Sequence, residues 1–264
     1  MPKSTLDLID TAVITGGAGG IGRAMAESLI KHGKKVIIAG RTEGNLKKTS
    51  EEIGATAYYV LDTGKPDMVA EVSKKILAEH PDVNCLVNNA GVQRPFQFPN
   101  VKEGQDYSFD LSKADQEIDI NIRGPMHLTV LFLPHLLEKK GGVVMNVSSV
   151  LGFLPSSVIN PVYNGTKAWV HFFTLNLRTQ YAGKIKVVEI APPTVSTALH
   201  RERTDPNDNS KEKNQSALSL EEFVTEVEAG WKEGKDLIAP GPAGKVVSLW
   251  QEGLGKKYEE VTGS

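Results

Sequence analysis

The chain predicts an α/β fold: a single domain built on a doubly wound parallel sheet with helices on both faces. Two observations carry that expectation. Short apolar or β-branched runs recur without polar alternation, as strands covered on both faces require. Between them lie longer segments with the spacing of amphipathic helices. No Gly/Ser- or Pro-rich linker divides the 264 residues, so one domain over residues 1–264 is expected.

Strands are expected at Thr11–Thr15, Lys35–Ala39, Ala57–Leu61, Asn84–Asn88, Val143–Val147 and Lys186–Ile190. Helices are expected at Ile21–His32, Thr42–Ile53, Pro66–His80, Lys113–Glu138 and Pro161–Ala182. Right-handed crossovers at each β-α-β step build an open sheet, with a ligand crevice at the carboxyl ends of the strands where the winding reverses. After Ile190 the pattern changes. Arg201–Lys213 is almost wholly polar and breaks helices at its centre, which predicts a solvated loop and, from its location, a candidate lid over about residues 194–218. A helix at Leu220–Lys232, an apolar piece at Leu237–Ala239, a Pro/Gly turn and a helix at Gly244–Leu254 complete the chain.

Composition narrows the function classes. With 30 basic and 32 acidic residues and a net charge of -2, there is no basic face for nucleic acid. The single cysteine, Cys85, lies in an apolar run and has no intrachain partner, consistent with a core residue in a reducing compartment. The N-terminus has no apolar signal core, and the apolar stretch from Leu128 to Leu137 is broken by Pro134 and His135. A cytoplasmic protein with no membrane partner is therefore expected. The six histidines form no ligand-like pair, so no metal site is expected.

The motifs fall just after strands. The first strand ends in Thr15-Gly16-Gly17-Ala18-Gly19-Gly20-Ile21-Gly22 and a helical pattern follows at once. Glycines permit a tight turn and close approach to a pyrophosphate, while the helix N-terminus presents free N–H groups. The second strand ends in Gly40-Arg41-Thr42. An acidic residue there would hold the ribose hydroxyl of NAD; Arg41 suits the 2′-phosphate of NADP(H). Arg23 either adds to that positive field or is a solvated helix arginine. Asp62, after the third strand, either accepts from an adenine amino group or caps the next helix.

Over roughly residues 8–200 the chain resembles the classical short-chain dehydrogenases/reductases, which have the Rossmann fold. The resemblance rests on Thr15 to Gly22, on Asn88-Asn89-Ala90-Gly91 after the fourth strand, and on Tyr163-Asn164-Gly165-Thr166-Lys167. Asn121 in a mid-chain helix and Ser149 after the fifth strand complete the set. It implies a catalytic group of Asn121, Ser149, Tyr163 and Lys167. It also implies a coenzyme site formed by Gly16, Gly20, Ile21, Gly22, Arg41, Asp62, Asn89, Ala90, Gly91, Tyr163, Lys167, Val195 and Thr197. Ala191-Pro192-Pro193, Gly40-Arg41 and Ala239 to Ala243 further resemble the DltE-type oxidoreductases. Pro193 stands where the family usually has glycine, Gln93 to Asp115 is a longer insert than the family core requires, and the usual Asp-Gly-Gly ending is missing.

Chemistry explains the residue types. Hydride addition to a carbonyl carbon leaves an oxyanion that needs a proton, and a phenol near pKa 10 is a poor acid-base group at neutral pH. Lys167, one helical turn past Tyr163, and the positive charge of the oxidised nicotinamide are together expected to lower the phenol's pKa. Ser149 is expected to hydrogen-bond the substrate oxygen, with Ser148 as the alternative; by resemblance Asn121 organises a water linking Lys167 to solvent. The expected function is NADPH-dependent reduction of a ketone or aldehyde, reversible to alcohol oxidation. The rivals are a non-catalytic NADP(H)-sensing regulator and an NAD-dependent alcohol dehydrogenase. Phe96, Phe98, Phe153, Leu154 and Val158 suggest an apolar substrate wall, and related enzymes imply a homodimer or homotetramer.

Overall fold

A computed structural model describes residues 3–96, 98 and 110–263. Seven parallel strands form one sheet: β1 (Thr11–Thr15), β2 (Lys35–Gly40), β3 (Ala57–Val60), β4 (Val83–Asn88), β5 (Val143–Val147), β6 (Lys186–Ile190) and the two-residue β7 (Leu237–Ile238). Their spatial order is β3-β2-β1-β4-β5-β6-β7. The helices are α1 (Gly20–Lys31), α2 (Glu43–Ile53), α3 (Pro66–Glu79), α4 (Ser112–Ile118), α5 (Gly124–Leu137), α6 (Pro161–Gln180), α7 (Leu220–Lys232), α8 (Ala243–Trp250) and α9 (Lys256–Thr262). This is the doubly wound Rossmann fold, and the six strands read from the sequence lie within a residue of their expected limits.

Neighbouring side chains on each strand enter opposite core layers, which is why the strands are apolar throughout. Ile14, Ile38, Val87, Met145 and Val188 pack with Met25, Leu29, Phe223 and Trp231 on one face. Val13, Ile37, Leu86, Val144 and Val187 pack with Leu128, Phe132 and Leu136 on the other. Cys85 is a buried free thiol in the first layer. Among the described residues no helix is long and apolar enough to cross a membrane.

The helix expected over Lys113–Glu138 is broken. Between α4 and α5 lies a π-helical turn, Asp119–Arg123. Pro125 has no N–H to donate to the Asn121 carbonyl, so the regular ladder cannot continue there. Gly124 allows the start of α5 to lie against Thr63, where a Cβ would sit 2.9 Å from the Thr63 carbonyl oxygen. The C-terminal segment also differs from expectation: α8 is followed by another π-helical turn, Gln251–Gly255, and then α9, which the sequence left as a tail.

Winding reverses between β1 and β4, so the segments leaving these strands meet at the sheet's carboxyl edge. The Thr15 hydroxyl accepts from the backbone N–H groups of Asn89 and Ala90, both at 3.0 Å. The Asn89 amide returns a bond to the Thr15 carbonyl at 2.8 Å. The first turn of α1 fits against this junction so closely that a Cβ on Gly22 would collide with the Asn89 amide and the Gly16 carbonyl. We expect Gly22→Ala to lower unfolding stability by about 1–3 kcal/mol through overpacking, measured by urea denaturation.

Candidate active site

A cavity of about 990 Å³ opens along the carboxyl edge of the sheet. Its floor at one end is the glycine turn. Gly16 (φ +67°) and Gly20 (φ +52°) hold left-handed backbone, which an L side chain adopts only with strain. Gly16, Gly20, Ile21 and Gly22 all reach the wall, as do Asn89, Ala90 and Gly91 from the end of β4. The Arg41 guanidinium lies on the same wall with Thr42 and Asn45, and no ion pair engages it among the described residues. Arg23 is tied instead to Glu27 and Glu52, each at 2.7 Å, outside this cavity. Asp62 is also off the wall; its carboxylate accepts from the Gly64 N–H at 3.1 Å. Nor does Asp62 cap the next helix, which begins after Lys65.

At the other end, α6 and the end of β5 bring Tyr163, Lys167 and Ser149 to one place. Tyr163 and Lys167 are one turn apart, with Lys167 Nζ 5.6 Å from the phenol ring centroid. That ammonium donates to the Val147 carbonyl at 2.8 Å. The Ser149 hydroxyl accepts from the Leu151 N–H at 3.2 Å. Ser148 is engaged elsewhere, donating to the buried Glu189 carboxylate at 2.6 Å. Asn121 is buried behind the site. Its side chain clasps both the N–H and the carbonyl of Val92 at 2.9 Å and donates to Thr166 at 3.1 Å, fixing the segment after Gly91 against α6.

Past β6, Pro192 and Pro193 line the cavity with Val195 and Thr197. The Thr197 side chain lies over the glycine turn, 3.6 Å from where a Cβ on Gly20 would be. The following polar run is solvated as its composition implies, with no residue of 201–213 buried, and its start is tied down. Arg94 Nε pairs with Glu202 at 3.0 Å, and the ring of the buried His200 bonds Gln93 Oε1 at 2.6 Å. The loop thereby docks onto the segment after β4, and His200, Arg201, Arg203 and Asn209 become cavity wall. The expected aromatic wall is absent among the described residues. Phe153 packs on His171 and Trp250 with ring centroids 4.1 and 5.8 Å away. Phe98 and Val158 are exposed, and Phe96 stacks edge-on to Phe98. Of those five residues Leu154 alone lines the cavity. Most of the insert between 93 and 115, namely residues 97 and 99–109, lies outside the described residues.

Burial dominates the electrostatics. It pushes the Tyr163 phenol well above its ordinary value; the Ser149 hydroxyl opposes this and the Glu117 charge adds to it. Burial also pushes Lys167 down to about 8, against the pull of Glu117 and Glu189. The Lys167 amine is itself poorly solvated and directed to a backbone carbonyl.

Sequence reasoning missed Glu117 and Glu189. Glu189 interrupts the apolar run of β6, which is a readable signal for a buried functional or paired charge; it accepts from Ser148 and lies 2.9 Å from His171 Nδ1. Glu117 sits one turn ahead of Asn121, buried, with its Oε1 unpartnered among the described residues. Burial raises its pKa to about 7, opposed by Arg94 and Lys167. Because the folded value exceeds the unfolded 4.5, this group's stabilisation is complete below about pH 4.5 and is lost as pH rises through 7. Glu117→Gln removes the titration. We expect its unfolding free energy to gain on that of the native sequence by up to roughly 3 kcal/mol between about pH 4.5 and 8, measured by urea denaturation.

Comparison with known proteins agrees with this geometry. A family model described as short chain dehydrogenase matches residues 10–208. The uncharacterized oxidoreductase DltE of Bacillus subtilis (strain 168) is 36% identical over 230 residues, covering 87% of each chain. The NADP-dependent 3-hydroxy acid dehydrogenase YdfG of Shigella flexneri is 32% identical, over 83% of this chain and 86% of its own. Among solved structures, a short-chain dehydrogenase from Sphingobium yanoikuyae in complex with NADPH superimposes with a TM-score of 0.80 at 22% identity, over 96% of this chain and 95% of its own. One from Burkholderia phymatum in complex with NAD gives 0.76 at 23%, over 94% and 95%; at these identities the likeness is one of fold. The matched span runs from β1 through β6 and beyond the Tyr163–Lys167 pair, and the chain belongs to the short-chain dehydrogenase/reductase family as an oxidoreductase resembling DltE.

Proposed function

We propose that the protein is an NADPH-dependent reductase of ketones or aldehydes, with Tyr163 as proton donor. One observation carries this: Ser149, Tyr163 and Lys167 converge on the same cavity that holds the glycine turn and the unpaired Arg41. The residues fit a phosphorylated dinucleotide. Backbone N–H groups of Gly20, Ile21 and Gly22 at the start of α1 suit a pyrophosphate, and Arg41 suits a 2′-phosphate through its planar fork. No carboxylate stands on the described wall to repel either. Asn89, Ala90, Gly91, Val195, Thr197 and Lys167 would hold the nicotinamide riboside, and Asp62, after β3, would accept from the adenine amino group. The bound coenzyme supplies the hydride.

The protein's own part is orientation and proton delivery. Ser149 and Tyr163 hydroxyls hold the carbonyl oxygen and stabilise its negative charge as it develops. Burial keeps the phenol protonated at neutral pH, and the charge of Lys167 together with that of an oxidised nicotinamide would bring its pKa toward the range in which it donates to that oxygen. Lys167, held near pKa 8, exchanges protons close to neutrality and is adjacent to reprotonate the phenolate. Asn121 acts at one remove by fixing the segment after Gly91, and we assign it the water through which Lys167 reaches solvent. The coenzyme-bound relatives and the NADP-dependent YdfG support the nicotinamide part of this reading.

The direct test follows NADPH absorbance with a panel of ketones and aldehydes, with NADH run alongside; no oxidation of either coenzyme with any carbonyl compound refutes it. Tyr163→Phe is expected to lower kcat by about 10²–10⁴-fold while NADPH still binds, read by fluorescence titration. Arg41→Asp is expected to reverse the preference from NADPH to NADH in kcat/KM, by removing the phosphate's partner and introducing a repelling charge. An unchanged coenzyme ratio in that variant refutes the phosphate contact.

A further inference from the structure

One carboxylate is buried where the sheet is otherwise apolar. Glu189 lies in β6 between Val188 and Ile190 and is fully buried, an unfavourable place for a charge unless donors meet it. Two do. The Ser148 hydroxyl donates to Oε1 at 2.6 Å, the length of a charge-assisted bond. His171 Nδ1 lies 2.9 Å from Oε2 and 3.2 Å from Oε1. Among the described residues no lysine or arginine forms an ion pair with Glu189; its partner is His171.

His171 leaves that charge in place. Its Nε2 is buried without a partner, and a proton there would be a charged N–H left unmet. The ring therefore donates through Nδ1 and carries no charge. Phe153 and Trp250 pack on it, with ring centroids 4.1 and 4.4 Å away. The group His171, Glu189 and Ser148 thus bears one negative charge and joins α6, β6 and the end of β5.

Both ends of this group reach the candidate site. His171 is one turn past Lys167 on α6, as Lys167 is one turn past Tyr163. Val147, Ser148 and Ser149 are consecutive: the first accepts from Lys167 Nζ at 2.8 Å, the second is bonded to Glu189, and the third lines the cavity with Tyr163. Lys167 has no carboxylate in ion-pair range among the described residues. The ionisable groups facing it are Tyr163 and His171 on its own helix, Glu117 from α4 and Glu189 from β6. Burial lowers its pKa to about 8, and Glu117 and then Glu189 draw it upward. The two carboxyls differ in kind. Glu117 has an unpartnered oxygen and a pKa of about 7, so it is partly neutral near pH 7; Glu189 is met by two donors.

We propose that Glu189 is a positioning residue for the reaction: through Ser148 it sets Ser149, and through its charge it keeps Lys167 in the ammonium form. This rests on the reductase reading above and adds to it a residue that touches neither substrate nor coenzyme. Glu189 itself is off the cavity wall, while Ser149 and Lys167, through which it acts, are on it.

The test follows NADPH oxidation by the unaltered protein, Ser148→Ala and Glu189→Gln, with rates expressed per NADPH-binding site so that loss of folded protein does not enter. Ser148→Ala keeps the charge and loses the bond; its kcat should fall about tenfold, the scale of a charge-assisted hydrogen bond, with the KM for NADPH and the pH profile unmoved. Glu189→Gln keeps the shape and loses the charge. A lysine with one negative neighbour fewer gives up its proton more readily, so the alkaline limb of its kcat/KM profile should move down by about one pH unit. An unmoved limb in Glu189→Gln, or an unchanged kcat in Ser148→Ala, overturns the proposal, and the second result decides even where Glu189→Gln does not fold. NMR titration of the Lys167 amine in protein labelled at the lysine ε-carbon, assigned with Lys167→Met, separates this proposal from the reductase reading. A midpoint lowered about one unit by Glu189→Gln, with no carbonyl reduced, sinks the reductase and keeps the coupling of Glu189 to Lys167. Carbonyls reduced, with the midpoint unmoved, does the reverse.

Discussion

The Thr15–Asn89 clasp is the constraint on which the rest of the molecule depends. A parallel sheet buried on both faces can open to a ligand only where its winding reverses, and here that point lies between β1 and β4. At the reversal the segments leaving these strands would otherwise diverge. One threonine hydroxyl accepting two backbone N–H groups, answered by one asparagine amide, holds them together. The glycine turn is then fixed relative to Gly91, and Gly91 relative to Asn121 and α6. The glycine turn and the Tyr163–Lys167 pair are parts of one hydrogen-bonded frame.

That frame extends through the sheet by polar contacts rather than apolar ones. Asn88 donates to Asn146 at 2.8 Å, and Asn146 donates to Thr174 of α6 at 2.9 Å, so β4, β5 and the helix bearing Tyr163 share one buried chain. Such a chain is costly when broken and directional when complete. It sets where α6 stands over the sheet, which packing of Val and Ile side chains alone would leave looser.

The same enclosure sets the chemistry. Tyr163, Lys167, Glu117 and Glu189 are all buried, and desolvation moves three of them toward their neutral forms. The phenol keeps its proton beside an amine near pKa 8 because both are buried. The polar loop after Thr197 contributes by docking: Arg94–Glu202 and His200–Gln93 bring the start of a solvated run onto the cavity wall.

Much of this was legible before any coordinates. Strands β1 to β6, the glycine turn, Arg41 and the Tyr163–Lys167 spacing depend on local rules: apolar runs, φ freedom of glycine and the 3.6-residue helical turn. The break of the long mid-chain helix was legible in principle, since Pro125 follows Gly124 directly. The aromatic wall was misjudged because its residue types suit several environments, and sequence does not say which one the chain supplies.

Sequence by itself determined the order of strands and helices, the glycine turn ahead of α1, and the pairing of a phenol with an amine on one helical face, because each is encoded within a few residues. Tertiary structure alone decided the pKa values, the anchoring roles of Asn89 and Asn121, the burial of Glu117, and the meeting of Arg203 with Gln93 and Asn160, 110 and 43 residues away. Desolvation and long-range hydrogen bonds depend on which distant segments come to lie together, and no local pattern carries that information.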